Sequence, residues 1–179
     1  MFAGINGILI PGGAVSIYNS PYAEASTYLF QLAKLANEAN EVFPVWGTCL
    51  GFEMLGAISN EGEPYLKHCN SYDQALPLEL VDGWSESELL GQAREDIIND
   101  LTQKPVTANF HHWCLTQENF TQFDMDSFWN ILSLNTDEDG LEFISTMEAK
   151  NYPIFATQWH PEKNNYEWTT KYPNIPHSR

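Results

Sequence analysis

The segment Val42-Phe43-Pro44-Val45-Trp46-Gly47-Thr48-Cys49-Leu50-Gly51 places a cysteine between two different structural patterns. A short apolar run, 42–46, precedes the cysteine, and an amphipathic stretch, 50–58, follows it. This layout predicts a strand, a sharp turn and a helix, which together form a nucleophile elbow that lifts a reactive side chain above a sheet. Small flanking residues fit this turn because its backbone is strained and crowded. Cys49 is therefore the candidate nucleophile, and a buried structural cysteine beside a helix start is the alternative.

A second motif, Gln158-Trp159-His160-Pro161-Glu162, offers an imidazole and a carboxylate two positions apart. At the end of an extended strand, side chains with this spacing point the same way. A third motif, Ile8-Leu9-Ile10-Pro11-Gly12-Gly13, is an apolar strand that runs into a glycine turn, and backbone amides there can face a carbonyl oxygen as an oxyanion hole requires. The joint occurrence of the three motifs favours a Cys49-His160-Glu162 triad over separate structural roles.

The order of the patterns along the chain predicts an α/β fold with a parallel sheet. Residues 5–10 and 42–46 are typical of buried strands, and Ser20-Pro21 is a typical helix start, with serine as N-cap and proline at the first helical position. Strand, helix, strand, helix in sequence indicates the α/β class. The predicted apolar face of the first helix consists of Ala25, Tyr28, Leu29, Leu32, Leu35, Ala36 and Ala39.

In the second half of the chain the apolar pattern is less regular, and further elements are predicted from shorter segments. They are a possible strand at 75–80, a helical stretch near 87–100, a β-prone segment at 107–115, and two strands at 141–147 and 153–159. The last two suit adjacent pairing, and the second delivers His160 at its end.

Composition limits the possible partners. The 179 residues suffice for one domain, and no apolar run is long enough to span a membrane. The formal charge of −16 disfavours nucleic acid and anionic membranes as partners. It is compatible with an acidic compartment, because carboxylates are partly neutralised there.

The cysteines and the histidine-rich segment leave several possibilities open. Of the three cysteines, Cys69 and Cys114 either pair or remain as two buried thiols. The segment His111-His112-Trp113-Cys114 contains zinc-type ligands, but adjacent histidines on a strand point to opposite faces and no second cluster has matching spacing, so no metal site is predicted. Asn119-Phe120-Thr121 is a candidate glycosylation site.

Several segments together resemble the gamma-glutamyl hydrolases, the folylpolyglutamate-cleaving relatives of the class I glutamine amidotransferases. The segments that carry this resemblance are Ile5 to Gly13, Phe43 to Glu53, Ala108 to His111, Phe143 to Glu148, and Gln158 to Lys163 continuing to Tyr166-Glu167-Trp168. The resemblance implies a flavodoxin-like three-layer α/β sandwich with a mostly parallel central sheet. It implies a single domain over 1–179 that is incomplete at both ends, with the family's signal peptide lost.

The resemblance also assigns roles. Cys49 is the expected nucleophile, His160 its general base and then acid, and Glu162 the group that orients the imidazole. The amides of Gly13 and Leu50 are expected to form the oxyanion hole. A helix N-terminus and a neighbouring imidazolium would favour the thiolate.

The substrate cleft is expected to be lined by Glu53, His111, Trp113 and Gln158. Glu53 as a purely pairing residue and Trp113 as a core residue are the alternatives. The implied reaction is hydrolysis of γ-glutamyl isopeptide bonds in folate polyglutamates through a thioester, without a cofactor. The family's lysosomal, vacuolar or extracellular location and a possible homodimer are further expectations. A glutaminase domain that passes ammonia to a synthase and a non-catalytic fragment remain as alternatives.

Overall fold

The structure, a computed structural model, describes residues 2–167, 171–173 and 175–176. Trp168 of the motif above lies outside the described residues. The helices are α1 (Pro21–Glu38), α2 (Leu50–Ser59), α3 (Glu95–Gln103), α4 (Gln117–Gln122) and α5 (Lys163–Tyr166). The strands are β1 (Ile8–Ile10), β2 (Val45–Thr48), β3 (Lys67–Leu76), β4 (Glu79–Leu80), β5 (Thr107–Cys114), β6 (Trp129–Thr136), β7 (Glu142–Ala149) and β8 (Ile154–Thr157).

The strands form a larger mixed sheet and a smaller ribbon. The larger sheet has the order β1-β2-β8-β7-β6-β4, and the ribbon pairs β3 with β5. The pairs β1/β2 and β2/β8 are parallel, whereas β8/β7, β7/β6, β6/β4 and β3/β5 are antiparallel. The predicted α/β class is confirmed, and so is the adjacent pairing of the last two strands.

The start of α1 follows directly from its sequence. The side chain of Ser20 accepts a hydrogen bond from the amide of Ala23 at 3.1 Å, and Pro21 occupies the first turn, so the predicted cap is confirmed.

The predicted apolar face of α1 is wrong, because Tyr28 and Leu35 are 63% and 61% exposed. The buried residues of the helix are Ala23, Ser26, Phe30 and Ala33. Small side chains at most of these positions let the helix backbone approach its neighbours closely, and Phe30 supplies the bulk.

Two strands and one helix differ from the sequence-based expectation. β3 and β6 were not predicted, and α3 begins at Glu95, not near residue 87. The sequence of β3, KHCNSYDQAL, lacks a regular apolar alternation, and its pairing with β5 is interrupted by irregularities after His68 and Tyr72. Such irregularities shift side chains between faces, so a period of two is not visible in the sequence.

The sheet register brings the ends of β2 and β8 together. Thr48 lies opposite Thr157, and the amide of Cys49 donates a hydrogen bond to the carbonyl oxygen of Thr157 at 2.8 Å. Residues that follow these parallel strands therefore meet at one edge of the sheet, which is where open α/β sheets bind ligands. Cys49 and His160 both follow strands at this edge.

A disulfide joins the two strands of the ribbon. Cys69 on β3 is bonded to Cys114 on β5, which settles the alternative left open above, and Cys49 is a free thiol. Among the described helices, none is long and apolar enough to cross a membrane.

Candidate active site

The backbone at Cys49 has the strained geometry of a nucleophile elbow. Its φ of 52° and ψ of −107° lie in a region that residues with a side chain rarely adopt. Helix α2 starts at the next residue, and a Cβ at Gly51 would overlap the carbonyl oxygen of Ile10. Only glycine therefore lets the start of α2 pack against β1, and this packing holds the turn in place.

The imidazole of His160 is oriented from two sides. Its backbone amide donates to the carbonyl oxygen of Ala108 at 2.8 Å. Its Nδ1 lies 2.6 Å from Oε1 of Glu162, and because an ionised carboxylate only accepts, we assign the proton to Nδ1. In the neutral imidazole this leaves the lone pair on Nε2, which is the nitrogen that can act as a base.

Gly12 occupies the gap between the imidazole and the thiol. A Cβ at this position would lie 2.8 Å from Cε1 and 3.6 Å from Nε2 of His160, and 3.4 Å from Cβ of Cys49. The Cβ position of Gly12 is thus within 4 Å of both side chains, which places the imidazole of His160 close to the side chain of Cys49.

The thiol of Cys49 is protonated at rest. Burial raises its pKa to about 12, the carboxylate of Glu53 adds to this shift, and the backbone hydrogen bond with Leu50 acts in the opposite direction. The helix N-terminus favours the thiolate through the backbone of Leu50, as expected, but desolvation and a nearby negative charge outweigh it.

Glu53 and Gln158 form a buried pair next to the thiol. Nε2 of Gln158 donates to Oε1 of Glu53 at 3.1 Å. Burial raises the pKa of Glu53 to about 7, although the hydrogen bond from Gln158 lowers it. Glu53 borders the cavity at Cys49, whereas Gln158 is 0% exposed and lies behind Glu53. The assignment of Gln158 to the cleft lining is wrong, and its role is to support Glu53.

Glu162 is ionised where it meets His160. Burial by itself would raise the pKa of Glu162, but the hydrogen bond from His160 and the ammonium of Lys163 lower it, and the net pKa is below the ordinary value. An ionised carboxylate at Nδ1 stabilises the imidazolium that forms when Nε2 takes a proton.

A cavity of about 620 Å³ opens above Cys49. Gly13, Leu50, Glu53, His111 and Trp113 are among the residues that line it. Trp113 is 51% exposed, so its alternative assignment to the core is wrong. A larger cavity of about 1210 Å³ lies along α1 and α2, and its lining does not include Cys49.

His111 borders the cavity but is almost completely buried. Its Nε2 lies 3.2 Å from Oδ1 of Asn109, and its Nδ1 lies 3.2 Å from the carbonyl oxygen of Trp113. Burial lowers its pKa to about 3, so this imidazole is neutral. His112 points to the opposite, exposed face, as expected for neighbours on a strand.

The ligand atoms of Cys69, His111 and Cys114 lie within 4.8 Å of one another, which is close enough for a shared metal ion. The two sulfurs are, however, bonded to each other. Metal binding by thiolates requires that this bond is absent. In the structure described here the three residues form a disulfide packed on an imidazole.

The candidate glycosylation site is not accessible. Asn119 lies in α4, is buried, and its Nδ2 donates to the carbonyl oxygen of Tyr65 at 2.6 Å. Because a glycan is attached through this nitrogen, the assignment of Asn119 as a glycosylation site is wrong.

The sequence did not indicate several residues of the cavity wall. Tyr18, Tyr72 and His112 line the cavity together with Cys49. Tyr18 comes from the loop before α1, and Tyr72 comes from the unpredicted strand β3. The sequence feature that could have indicated part of this wall is the aromatic character of the segment around His112.

Comparison with known proteins gives one family match and several similar relatives. The family model for "Glutamine amidotransferase class-I" matches residues 2–174. The gamma-glutamyl hydrolase of Homo sapiens is 42% identical over 169 residues, which cover 94% of this chain and 52% of that protein. Gamma-glutamyl hydrolase B of Dictyostelium discoideum is 36% identical over 173 residues, which cover 96% of this chain and 50% of that protein.

The similarity extends to a solved structure at the level of the fold. The crystal structure of SMU.1228c aligns with a TM-score of 0.54 and 16% identity, covering 87% of this chain and 57% of that one. The chain spans about half the length of the relatives that it matches.

Proposed function

The chain belongs to the class I glutamine amidotransferase family, and we propose that it acts within that family as a cysteine hydrolase of γ-glutamyl isopeptide bonds, with folate polyglutamates as substrates. The observation that carries the proposal is the free, strained Cys49 close to the Glu162-bound imidazole of His160, with Gly12 beside both side chains. The similar relatives named gamma-glutamyl hydrolase support the choice of bond.

The first half of the proposed reaction forms a thioester. Nε2 of His160 takes the thiol proton of Cys49 while the sulfur attacks the γ-carbonyl carbon of a glutamyl residue. The carbonyl oxygen becomes an oxyanion, which the amides of Leu50 and Gly13 stabilise by hydrogen bonds. The imidazolium then donates its proton to the α-amine of the next glutamate as the C–N bond breaks, and this glutamate leaves.

The second half regenerates the enzyme. His160 removes a proton from water, the resulting hydroxide attacks the thioester carbon, and the imidazolium returns the proton to the sulfur of Cys49 as the C–S bond breaks. Throughout both halves the ionised Glu162 stabilises the imidazolium.

Acidic conditions assist this chemistry through Glu53. Its pKa of about 7 means that it is mostly neutral below that pH, and its negative charge then no longer opposes formation of the thiolate at Cys49. This agrees with the proposal that the protein works in an acidic, oxidising place such as a lysosome, a vacuole or the extracellular space, where its disulfide would persist.

The decisive experiment measures glutamate release from a pteroyl-γ-polyglutamate by the wild-type protein and by Cys49→Ala. We expect release by the wild type and none by Cys49→Ala, although the variant still binds the substrate. Folding of both proteins is checked by a melting curve. Equal release by the two proteins rejects Cys49 as nucleophile, and no release by a folded wild-type protein rejects the proposed hydrolase.

A glutaminase activity is the second candidate, because the matching family model is that of glutamine amidotransferases. Free glutamine as the substrate in the same assay tests it, since Cys49-dependent ammonia release would favour the glutaminase. We also propose that subunits pair. The exposed Leu35 on α1 supports pairing, and light scattering measures it.

A further inference from the structure

A continuous series of ring contacts leads away from His160 along the exposed face of the β3/β5 ribbon. We call Phe110, Tyr72, His112, His68 and Trp113 the aromatic track. Successive ring centroids, starting from His160, lie 6.1, 5.3, 5.0, 6.3 and 5.6 Å apart. The rings of Tyr72 and His112 are nearly parallel, with an interplanar angle of 2°.

Strand alternation exposes Phe110, His112, His68 and Tyr72 of the track. On β5, His111 points into the core while Phe110 and His112 point outward, and on β3 the same outward face carries His68 and Tyr72. Tyr72 is 42% exposed and Trp113 is 51% exposed. Aromatic rings left in water at a cavity are typical of surfaces that bind a partner or ligand.

The track is continuous with the catalytic cavity. Tyr72, Phe110, His112 and Trp113 line the same cavity of about 620 Å³ as Cys49. Tyr172 packs against Phe110, with ring centroids 4.8 Å apart. A ligand that reaches the sulfur with its carbonyl group can therefore also lie against the exposed rings of Tyr72, His112 and Trp113.

Positive charge accompanies the rings at the catalytic end. The ammonium of Lys163 lies 4.6 Å from the centroid of Phe110 and pairs with Glu167. Because Glu167 balances this charge, recognition of a ligand by the track depends on its rings.

We propose that the aromatic track binds, by stacking, a flat aromatic group at the head of the γ-glutamyl substrate, with Tyr72 and His112 as the principal contacts. This inference rests on the proposed function and names a specificity determinant of the same site. Tyr72 and His112 are stacked on each other, and the outer face of this pair gives a flat ligand a preformed surface. Stacking on aromatic side chains contributes to the binding of flat heterocycles. The acyl side of the scissile bond then lies towards the track and the leaving amine away from it.

The competing explanation is that the rings only stabilise the ribbon. Aromatic pairs across strands contribute to sheet stability, and a two-stranded ribbon has few other contacts. This explanation predicts lower stability on substitution but no dependence on the chemistry of the substrate's head group.

The test compares two substrates of equal glutamate number, pteroyl-tri-γ-glutamate and unsubstituted tri-γ-glutamate. The proteins are the wild type, Tyr72→Leu, Tyr72→Phe and the control Tyr28→Leu, which removes an exposed ring from α1 outside the catalytic cavity. We expect Tyr72→Leu to raise KM for the pteroyl substrate about tenfold with little change in kcat, in keeping with loss of a stacking partner. KM of Tyr72→Leu for unsubstituted tri-γ-glutamate stays at the wild-type value. Tyr72→Phe and Tyr28→Leu keep the wild-type KM for both substrates.

Two results overturn the proposal. One is an equal change in KM for both substrates, and the other is no change in KM for either. If the folded wild-type protein cleaves neither substrate, the hydrolase proposal fails, and calorimetric titration of pteroylglutamate into Cys49→Ala and into the Cys49→Ala, Tyr72→Leu double variant decides the stacking. Tighter binding to the single variant supports the track as an aromatic site, and equal or absent binding refutes it.

Discussion

Replacing Gly12 by alanine is expected to separate the two halves of the catalytic pair without unfolding the protein. The added Cβ would lie 2.8 Å from Cε1 of His160, closer than real Cβ contacts come, whereas ordinary contact begins at 3.4 Å. The imidazole must therefore move by the difference, 0.6 Å. Its 2.6 Å hydrogen bond to Glu162 limits how the ring can move. The displaced imidazole is therefore less well placed to take the proton of the Cys49 thiol.

The magnitude follows from the sensitivity of catalysis to position. A misplacement of about 1 Å costs roughly 10²-fold in rate, so we expect kcat to fall about 10- to 10²-fold, or about 1.4 to 2.7 kcal/mol in the activation free energy. KM should change little, because Gly12 contributes no side chain to binding. The assay is steady-state glutamate release with a melting curve for each protein.

Gly4→Ala is the matched control, because a Cβ at Gly4 meets no atom within 4 Å. It should retain the wild-type kcat and melting temperature. A wild-type kcat in Gly12→Ala would refute the reasoning, since it would mean that the imidazole does not need the space above Gly12.

Four further predictions, on three variants, concern the surroundings of the site. Glu53→Gln should lower the pKa of Cys49, measured as the pH dependence of iodoacetamide alkylation, and an unchanged profile would contradict the assigned repulsion. Because the folded pKa of Glu53 is raised from 4.5 to about 7, the contribution of Glu53 to stability is fully present below pH 4.5 and is lost as pH rises through 7. Glu53→Gln should therefore gain about 3 kcal/mol in stability relative to the wild type between pH 4 and pH 8 in urea unfolding. Replacing Cys69 and Cys114 together by serine should cost about 4 kcal/mol in the same measurement, as expected for a cross-link of separation 45, and an unchanged unfolding midpoint would argue against the disulfide. Glu162→Gln should lower kcat about 10²-fold at unchanged fold, because the imidazolium loses its counter-charge, and full activity would remove Glu162 from the mechanism.

Local patterns were sufficient for the elements that surround the nucleophile. The strand and helix on either side of Cys49 and the Ser20 cap of α1 are confirmed, because each depends on residues within a few positions of one another. The pairing of β7 with β8 is confirmed for the same reason, since the two strands are separated by a short connection.

Patterns spread over distant segments were not sufficient. β3 is irregular in sequence and is held by β5 and by the Cys69–Cys114 disulfide, so it was missed together with Tyr72. The inward face of α1 was also predicted wrongly, because the choice between two helix faces depends on what packs against them.

The residue types and their order along the chain suffice to nominate Cys49, His160 and Glu162, since the chemistry of a side chain and the spacing of a motif are local properties. Burial and electrostatic environment are not local, because they depend on which distant residues the fold brings together. The burial of Gln158, the raised pKa of Glu53 and the protonated state of Cys49 therefore emerge only in the folded protein.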